Sequence, residues 1–214
     1  MSYIAVIDYD AGNTMSVMNA LKYLGYETVL SRNPEEIKKA DRIIFPGVGA
    51  YADAMARIES YNLKSVIKEV VAEGNPFLGI CLGMQLLFDY STENAADLGK
   101  DKIEGLGILP GNVTGFKEKT EFKGLKVHHM GWNSLQFCNP DSRLFKGIAD
   151  GSFVYFVHSY YIKADKRDDV AATCNYGISF DASVEKGNIF GCQFHPEKSG
   201  DVGMNILKNF CELT

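Results

Sequence analysis

Cys81 stands in the run Gly79-Ile80-Cys81-Leu82-Gly83, between an apolar strand pattern at residues 76–80 and a helical one, Met84-Gln85-Leu86-Leu87-Phe88. This is a glycine-x-nucleophile-x-glycine elbow with cysteine in the nucleophile's place. A side chain held on so sharp a strand-to-helix turn sits on a strained backbone, and bulk two positions to either side would collide, so both of those positions are glycine. The following helix offers free N–H groups and a dipole that favour a thiolate, and the N–H of Leu82 points where an oxyanion would form. Taken alone, so short a pattern is equally that of a buried cysteine in a glycine-rich turn, and the rest of the chain must decide.

A cysteine nucleophile needs a base, and the only histidines are His128, His129, His158 and His195. His195 follows an apolar strand pattern at 189–194 and precedes Pro196 and Glu197. Loops at strand ends carry the reacting groups of open α/β sheets. The proline stiffens the backbone there, and a carboxylate two residues on can hold the imidazole's tautomer and stabilise the imidazolium. Pro46-Gly47-Val48-Gly49 ends another strand pattern and can present backbone N–H groups to a ligand at little steric cost. No G-K-[ST] follows it, and Gly105, Gly107 and Gly111 do not make a dinucleotide fingerprint, so no nucleotide cofactor is expected.

These groups need a scaffold that brings strand ends together. The first half alternates strand and helix signals: strands at 3–8, 27–30, 42–45 and 76–80, a helix at about 14–24 stopped by Gly25, and another opening at Asn33-Pro34-Glu35-Glu36. Apolar strands separated by helices indicate a parallel sheet in an α/β domain. The second half reads as strands at 127–137, 153–162, 170–175, 178–184 and 189–194 with few helices between them, so antiparallel pairing is expected there. A last helix spans about 202–213. With no repeat and no linker, a single domain over residues 1–214 is expected.

Composition narrows the class. A hydrophobic fraction of 46% in 214 residues supplies a core without disulfides or metals. The net charge of −5 argues against a nucleic-acid surface as the main business. No apolar run approaches the ~20 residues needed to cross a bilayer. The five cysteines are scattered without a C-x-x-C, which suggests neither a zinc site nor a disulfide framework and fits a reduced, cytoplasmic setting.

Gly79-Ile80-Cys81-Leu82-Gly83-Met84-Gln85 together with Phe194-His195-Pro196-Glu197 resembles the class I (triad) glutamine amidotransferases, over essentially the whole chain. Within that family, Gly12-Asn13, Pro46-Gly47-Val48-Gly49, His129-Met130-Gly131-Trp132-Asn133, Phe156-Val157-His158-Ser159-Tyr160 and His195-Pro196-Glu197-Lys198-Ser199 resemble the glutaminase subunits of imidazole glycerol phosphate synthases. His128 stands where those subunits usually carry proline, a change expected to alter a turn and an interface contact but not the chemistry.

The resemblance implies glutamine hydrolysis with Cys81 as nucleophile, His195 as base and Glu197 as its orienting acid. The oxyanion would be held by Leu82 and by an N–H of the Val48-Gly49 segment. Gln85, Ser159 and Tyr160 would hold the substrate, with Glu93 a candidate for its ammonium and equally a solvated acid. It also implies a cyclase partner of (β/α)-barrel fold in a heterodimer, faced by Asn13, Met130, Trp132, Tyr155 and Lys198. Each of those could otherwise be a helix cap (Asn13), core packing (Met130, Trp132, Tyr155) or a solvated charge (Lys198). Rival readings are the glutaminase of another synthase such as pyridoxal phosphate synthase, a cysteine α/β-hydrolase, and a flavodoxin-like binding module using Asp8 and Asp10.

Overall fold

The computed structural model describes residues 2–118 and 125–213. Five parallel strands form one wing of its main sheet, in the order β2 (Thr28–Ser31), β1 (Ile4–Ile7), β3 (Arg42–Gly47), β4 (Phe77–Cys81) and β14 (Ile189–Cys192). The last of these comes from the far end of the chain, and it sets the segment that carries His195 beside the strand that carries Cys81.

Alternate residues of these strands feed two cores, which is why the runs are apolar throughout. Ala5, Ile7, Ile43 and Phe45 pack on one face against α2 (Pro34–Lys38), α3 (Tyr51–Ser60) and α4 (Leu63–Ala72). Ile4, Val6, Ile44 and Phe190 pack on the other against α1 (Thr14–Tyr23) and α6 (Gly200–Cys211). Phe45 is fully buried with its ring against Tyr9 and Phe77, and truncating such a residue to alanine costs about 3–5 kcal/mol.

Beyond β14 the sheet turns antiparallel, through β13 (Ile178–Lys186), β11 (Tyr160–Ala164) and β7 (Leu109–Gly115), then β5 (Phe88–Ser91) parallel to β7 and the edge strand β6 (Ile103–Glu104). β12 (Val170–Tyr176) pairs with β13 and with the short β9 (Gln136–Phe137). A separate ribbon joins β8 (His129–Ser134) to β10 (Phe153–His158). A central, largely parallel sheet flanked by helices, with antiparallel strands in the second half, is the α/β architecture expected.

Three local expectations are corrected. The helical pattern after the elbow is a single turn, α5 (Leu82–Gln85), and Phe88 begins a strand instead. A short apolar run fits either period, and pairing of Phe88 with Leu109 decides it. The run 153–162 is two strands broken at Ser159, whose carbonyl accepts from Phe116 N, and the halves join different sheets. The run 127–137 likewise divides into β8 and β9. β7, Leu-Pro-Gly-Asn-Val-Thr-Gly, is not among the strands expected, and its proline and glycines disfavour a strand locally. Five residues paired to β11 override that local preference.

Candidate active site

Cys81 adopts φ 54° and ψ −114°, a backbone conformation that side-chain-bearing residues rarely take. The flanking glycines make the turn possible. A Cβ on Gly83 would lie 1.7 Å from the Phe45 carbonyl oxygen, and one on Gly79 would lie 2.7 Å from Met84 Cα. The collision expected from the motif is therefore real, and it is with backbone that cannot move aside.

The imidazole of His195 and the carboxylate of Glu197 are buried, with Nδ1 2.9 Å from Oε1. The other ring nitrogen, Nε2, is buried with no hydrogen-bond partner among the described residues, and Cys81 and His195 line the same cavity. Burial alone would push this imidazole down, but the neighbouring Cys81 and the hydrogen-bonded Glu197 outweigh it and hold the ring up at about 10. Such a ring favours the imidazolium, the partner a thiolate requires. The helix dipole invoked from the sequence contributes little, because α5 is one turn long.

The segment carrying His195 is clamped from the β8–β10 ribbon. His195 N donates to Tyr155 O at 2.9 Å, while Ser199 Oγ donates to His195 O at 2.7 Å and accepts from Tyr155 N at 2.9 Å. Asn13 sits at the start of α1 without capping it by its side chain; its amide donates to Glu197 Oε1 at 3.3 Å.

His158 and His129 differ from His195 in kind. Tyr160 O can only accept, so His158 Nδ1, 2.9 Å away, carries its proton; His158 Nε2 then accepts from His129 Nδ1 at 2.9 Å, and His129 Nε2 accepts from Asn133 Nδ2 at 3.2 Å. Both rings are thereby held neutral. Burial lowers them from 6.5 to about 4 for His129 and about 3 for His158.

The unfolded chain takes up these protons before the folded chain does. Their contribution to stability is therefore whole above about pH 6.5 and falls as the pH drops toward 4 and 3. His195 has the opposite sign: its contribution is whole below about 6.5 and is lost as pH rises through about 10. We expect the urea midpoint to fall between about pH 6.5 and 4, with a smaller slope in His129→Gln. An unchanged slope in that variant would show that the buried pair does not titrate this way.

A cavity of about 390 Å³ joins these groups to the rest of the expected site. Cys81, Leu82 and His195 line it together with Val48 and Gly49, and Gln85, Glu93, Ser159 and Tyr160 are also in its lining. Gly49 takes φ +101° with open space around the position of a Cβ. Both hydrogens of the Gln85 amide are committed, to Tyr160 O and to Gln193 Oε1 at 2.9 Å each, so any hydrogen bond it makes to a substrate falls to its carbonyl oxygen. Glu93 is part-buried against the cavity, accepts from Tyr51 N at 3.0 Å, and is raised above the usual carboxylate range chiefly by burial. A part-buried carboxylate facing a cavity attracts a cation; a solvated acid on the surface would not be shifted this way.

Gln193, which the sequence did not single out, and His128 also belong here. Gln193 is fully buried and its amide donates to Cys81 Sγ at 3.6 Å. His128, expected to bear on a turn and an interface contact, lines the cavity with Nδ1 2.5 Å from Ser159 Oγ.

Of the residues assigned to a partner, Trp132 and Tyr155 are paired across the β8–β10 ribbon and Asn13 touches Glu197. Met130 and Trp132 are exposed at 66% and 55%, too open for core packing, and the Trp132 ring meets Tyr155 at 6.1 Å on the paired strand. Tyr155 is half-buried and Lys198 exposed. Asp8 and Asp10, the basis of the binding-module reading, both close on the Arg32 guanidinium at 2.5 Å. Among the described residues no group of three or more His, Cys, Asp or Glu is placed to hold a metal, and no helix is long and apolar enough to cross a membrane.

With fold and site in view, the class is defined: the chain belongs to the class I glutamine amidotransferases, whose family model matches residues 5–213. Similar over full length is the imidazole glycerol phosphate synthase subunit HisH of Methanosarcina acetivorans, 50% identical over 215 residues and 100% of both chains. The subunit of the same name from Moorella thermoacetica is 48% identical over 213 residues, 100% of this chain and 96% of the relative. Among solved structures, a glutamine amidotransferase superposes with TM-score 0.72 at 20% identity, covering 98% of this chain and 100% of that one. PurLQS from Thermotoga maritima superposes with TM-score 0.71 at 19% identity, covering 99% and 98%. At such identities the structural likenesses bear on the fold alone.

Proposed function

We infer that this chain hydrolyses glutamine to glutamate and ammonia through a thioester on Cys81. The ammonia passes to a cyclase subunit that forms imidazole glycerol phosphate and aminoimidazole carboxamide ribotide in histidine biosynthesis. The observation that carries the chemistry is the meeting of a strained thiol and a raised imidazole on one cavity, the imidazole backed by a buried carboxylate. The naming of full-length relatives as subunits of that synthase supports the pathway and the need for a partner.

In this scheme the Cys81 thiolate adds to the side-chain carbonyl carbon of glutamine. The oxyanion is stabilised by the N–H of Leu82 and by one of the Val48-Gly49 segment. His195 as imidazolium protonates the leaving nitrogen, which departs as ammonia and leaves the glutamyl thioester. The neutral ring then takes a proton from water as its oxygen attacks the thioester, and glutamate and thiol are released. Glu197, held by Asn13, keeps the ring's tautomer and stabilises its charge. Gln85 and the main chain at Ser159 and Tyr160 hold the substrate, and Glu93 receives its ammonium.

Residues 1–214 act as one amidotransferase domain, in the cytoplasm, a placement supported by five free cysteines. The partner is a (β/α)-barrel cyclase that docks over Asn13, Met130, Trp132, Tyr155 and Lys198. The exposure of Met130 and of Trp132, which is paired with Tyr155 in the ribbon, supports an apolar contact there.

Gly49 carries a further expectation, that the partner switches the subunit on. If the N–H needed for the oxyanion is turned away at rest, losing that donor costs ~10²–10³ in rate. A ligand-bound partner can restore it by shifting a population between two backbone states. Glutamate release is expected to rise at least about tenfold when the cyclase and its ligand are both present. Gly49→Pro should suppress the stimulated rate, because proline lacks the N–H and cannot take φ +101°. Equal hydrolysis by the isolated subunit and the liganded complex would overturn the switch.

A further inference from the structure

Gln193 lies two residues before His195, its main-chain N–H fixed to Ala182 O at 2.9 Å and its side chain wholly buried. A carboxamide of this kind can face either way, but here its orientation follows from its neighbours. Tyr160 O only accepts, so the Gln85 group 2.9 Å from it is the amide nitrogen. That same nitrogen lies 2.9 Å from the Gln193 carboxamide and can only donate, so the Gln193 atom there is Oε1. The end of Gln193 left to face Cys81 Sγ, 3.6 Å away, is then its N–H donor. The chain of donors runs in one direction: Gln85 to Gln193, and Gln193 to the sulfur.

A neutral thiol gains little from such a donor, because sulfur is a weak acceptor until it is charged; a thiolate gains a charge-assisted hydrogen bond. Burying two carboxamides back to back also costs more desolvation than two aliphatic side chains would, unless their hydrogen bonds serve something. We propose that Gln193 is a positioning residue for the Cys81 thiolate, donating to Sγ from a carboxamide whose orientation Gln85 enforces. Gln85 then has a task besides substrate binding. The inference rests on Cys81 being the nucleophile.

The test is the pH dependence of Cys81 alkylation by iodoacetamide in the complex with the cyclase, followed on the Cys81 peptide by mass spectrometry so that exposed Cys138 does not interfere. Gln193→Met and Gln193→Leu, near in volume and without a donor, should move the midpoint up by about one pH unit. They should lower glutamine-dependent kcat about tenfold with KM changed less than about threefold, and leave ammonia-dependent synthesis at the wild-type rate. Having two variants keeps the result readable if one of them folds poorly. Folded variants with the wild-type midpoint and kcat would overturn the proposal and make Gln193 a core filler. Failure of the nucleophile reading looks different: C81A would still hydrolyse glutamine whatever stands at 193.

Discussion

Replacing Cys81 with alanine is expected to abolish glutamine-dependent synthesis by the complex, a loss of at least about 10⁴-fold, while ammonia-dependent synthesis continues at its normal rate. The elbow places this thiol alone beside the Leu82 N–H and the Val48-Gly49 segment, so no other cysteine can stand in for it. Cys174, Cys192 and Cys211 are buried elsewhere and raised by that burial, and Cys138 is exposed away from the cavity. Alanine keeps a Cβ on the strained backbone, and the substitution removes only a sulfur, so folding should be little changed. Ammonia enters downstream of the thioester and does not need it. The check is paired rates with glutamine and with ammonium as nitrogen source, and loss of both would mean the variant had damaged the assembly instead.

His195→Asn should lower glutamine hydrolysis by about 10²–10⁴-fold, either by blocking acylation or by leaving a thioester that forms slowly. Asparagine removes the group held up at about 10 and with it the imidazolium that must protonate the leaving nitrogen. Glu197→Gln should keep the fold and reduce turnover by a smaller factor, since it removes the charge that stabilises the imidazolium while retaining a hydrogen-bonding group. His158→Asn is the control. That ring also touches the cavity, but both of its nitrogens are committed, to Tyr160 O and His129, and it is lowered to about 3. Pre-steady-state mixing with glutamine separates acylation from deacylation. Should a folded H158N variant lose as much as H195N, the base has been misassigned.

The elbow at Cys81 and the His195–Glu197 pair were legible in the sequence because their constraints are local. Gly79 and Gly83 are required by contacts with residues within the same turn or on the adjacent strand, and His195 and Glu197 are two residues apart. The parallel wing was legible because strands buried on both faces leave uninterrupted apolar runs. What sequence did not reveal depends on distant partners. β7 exists because β11 pairs with it, the break at Ser159 exists because two sheets compete for one run, and Asn13 reaches Glu197 across 184 positions. Gln193 was passed over for the same reason: nothing near it in the chain says that its amide will meet Cys81. Met130 and Trp132 could be read as core until their exposure was known, since apolar type alone does not separate a core from a docking face.

The most direct test of the central claim is labelling with a diazoketone analogue of glutamine, which requires a nucleophile and a glutamine pocket at the same place. Mass spectrometry of the digested chain should find the adduct on Cys81, with labelling slowed by glutamine and absent in His195→Asn over the same interval. An adduct on Cys138 or any other residue, or labelling of Cys81 that glutamine does not slow, would contradict the account.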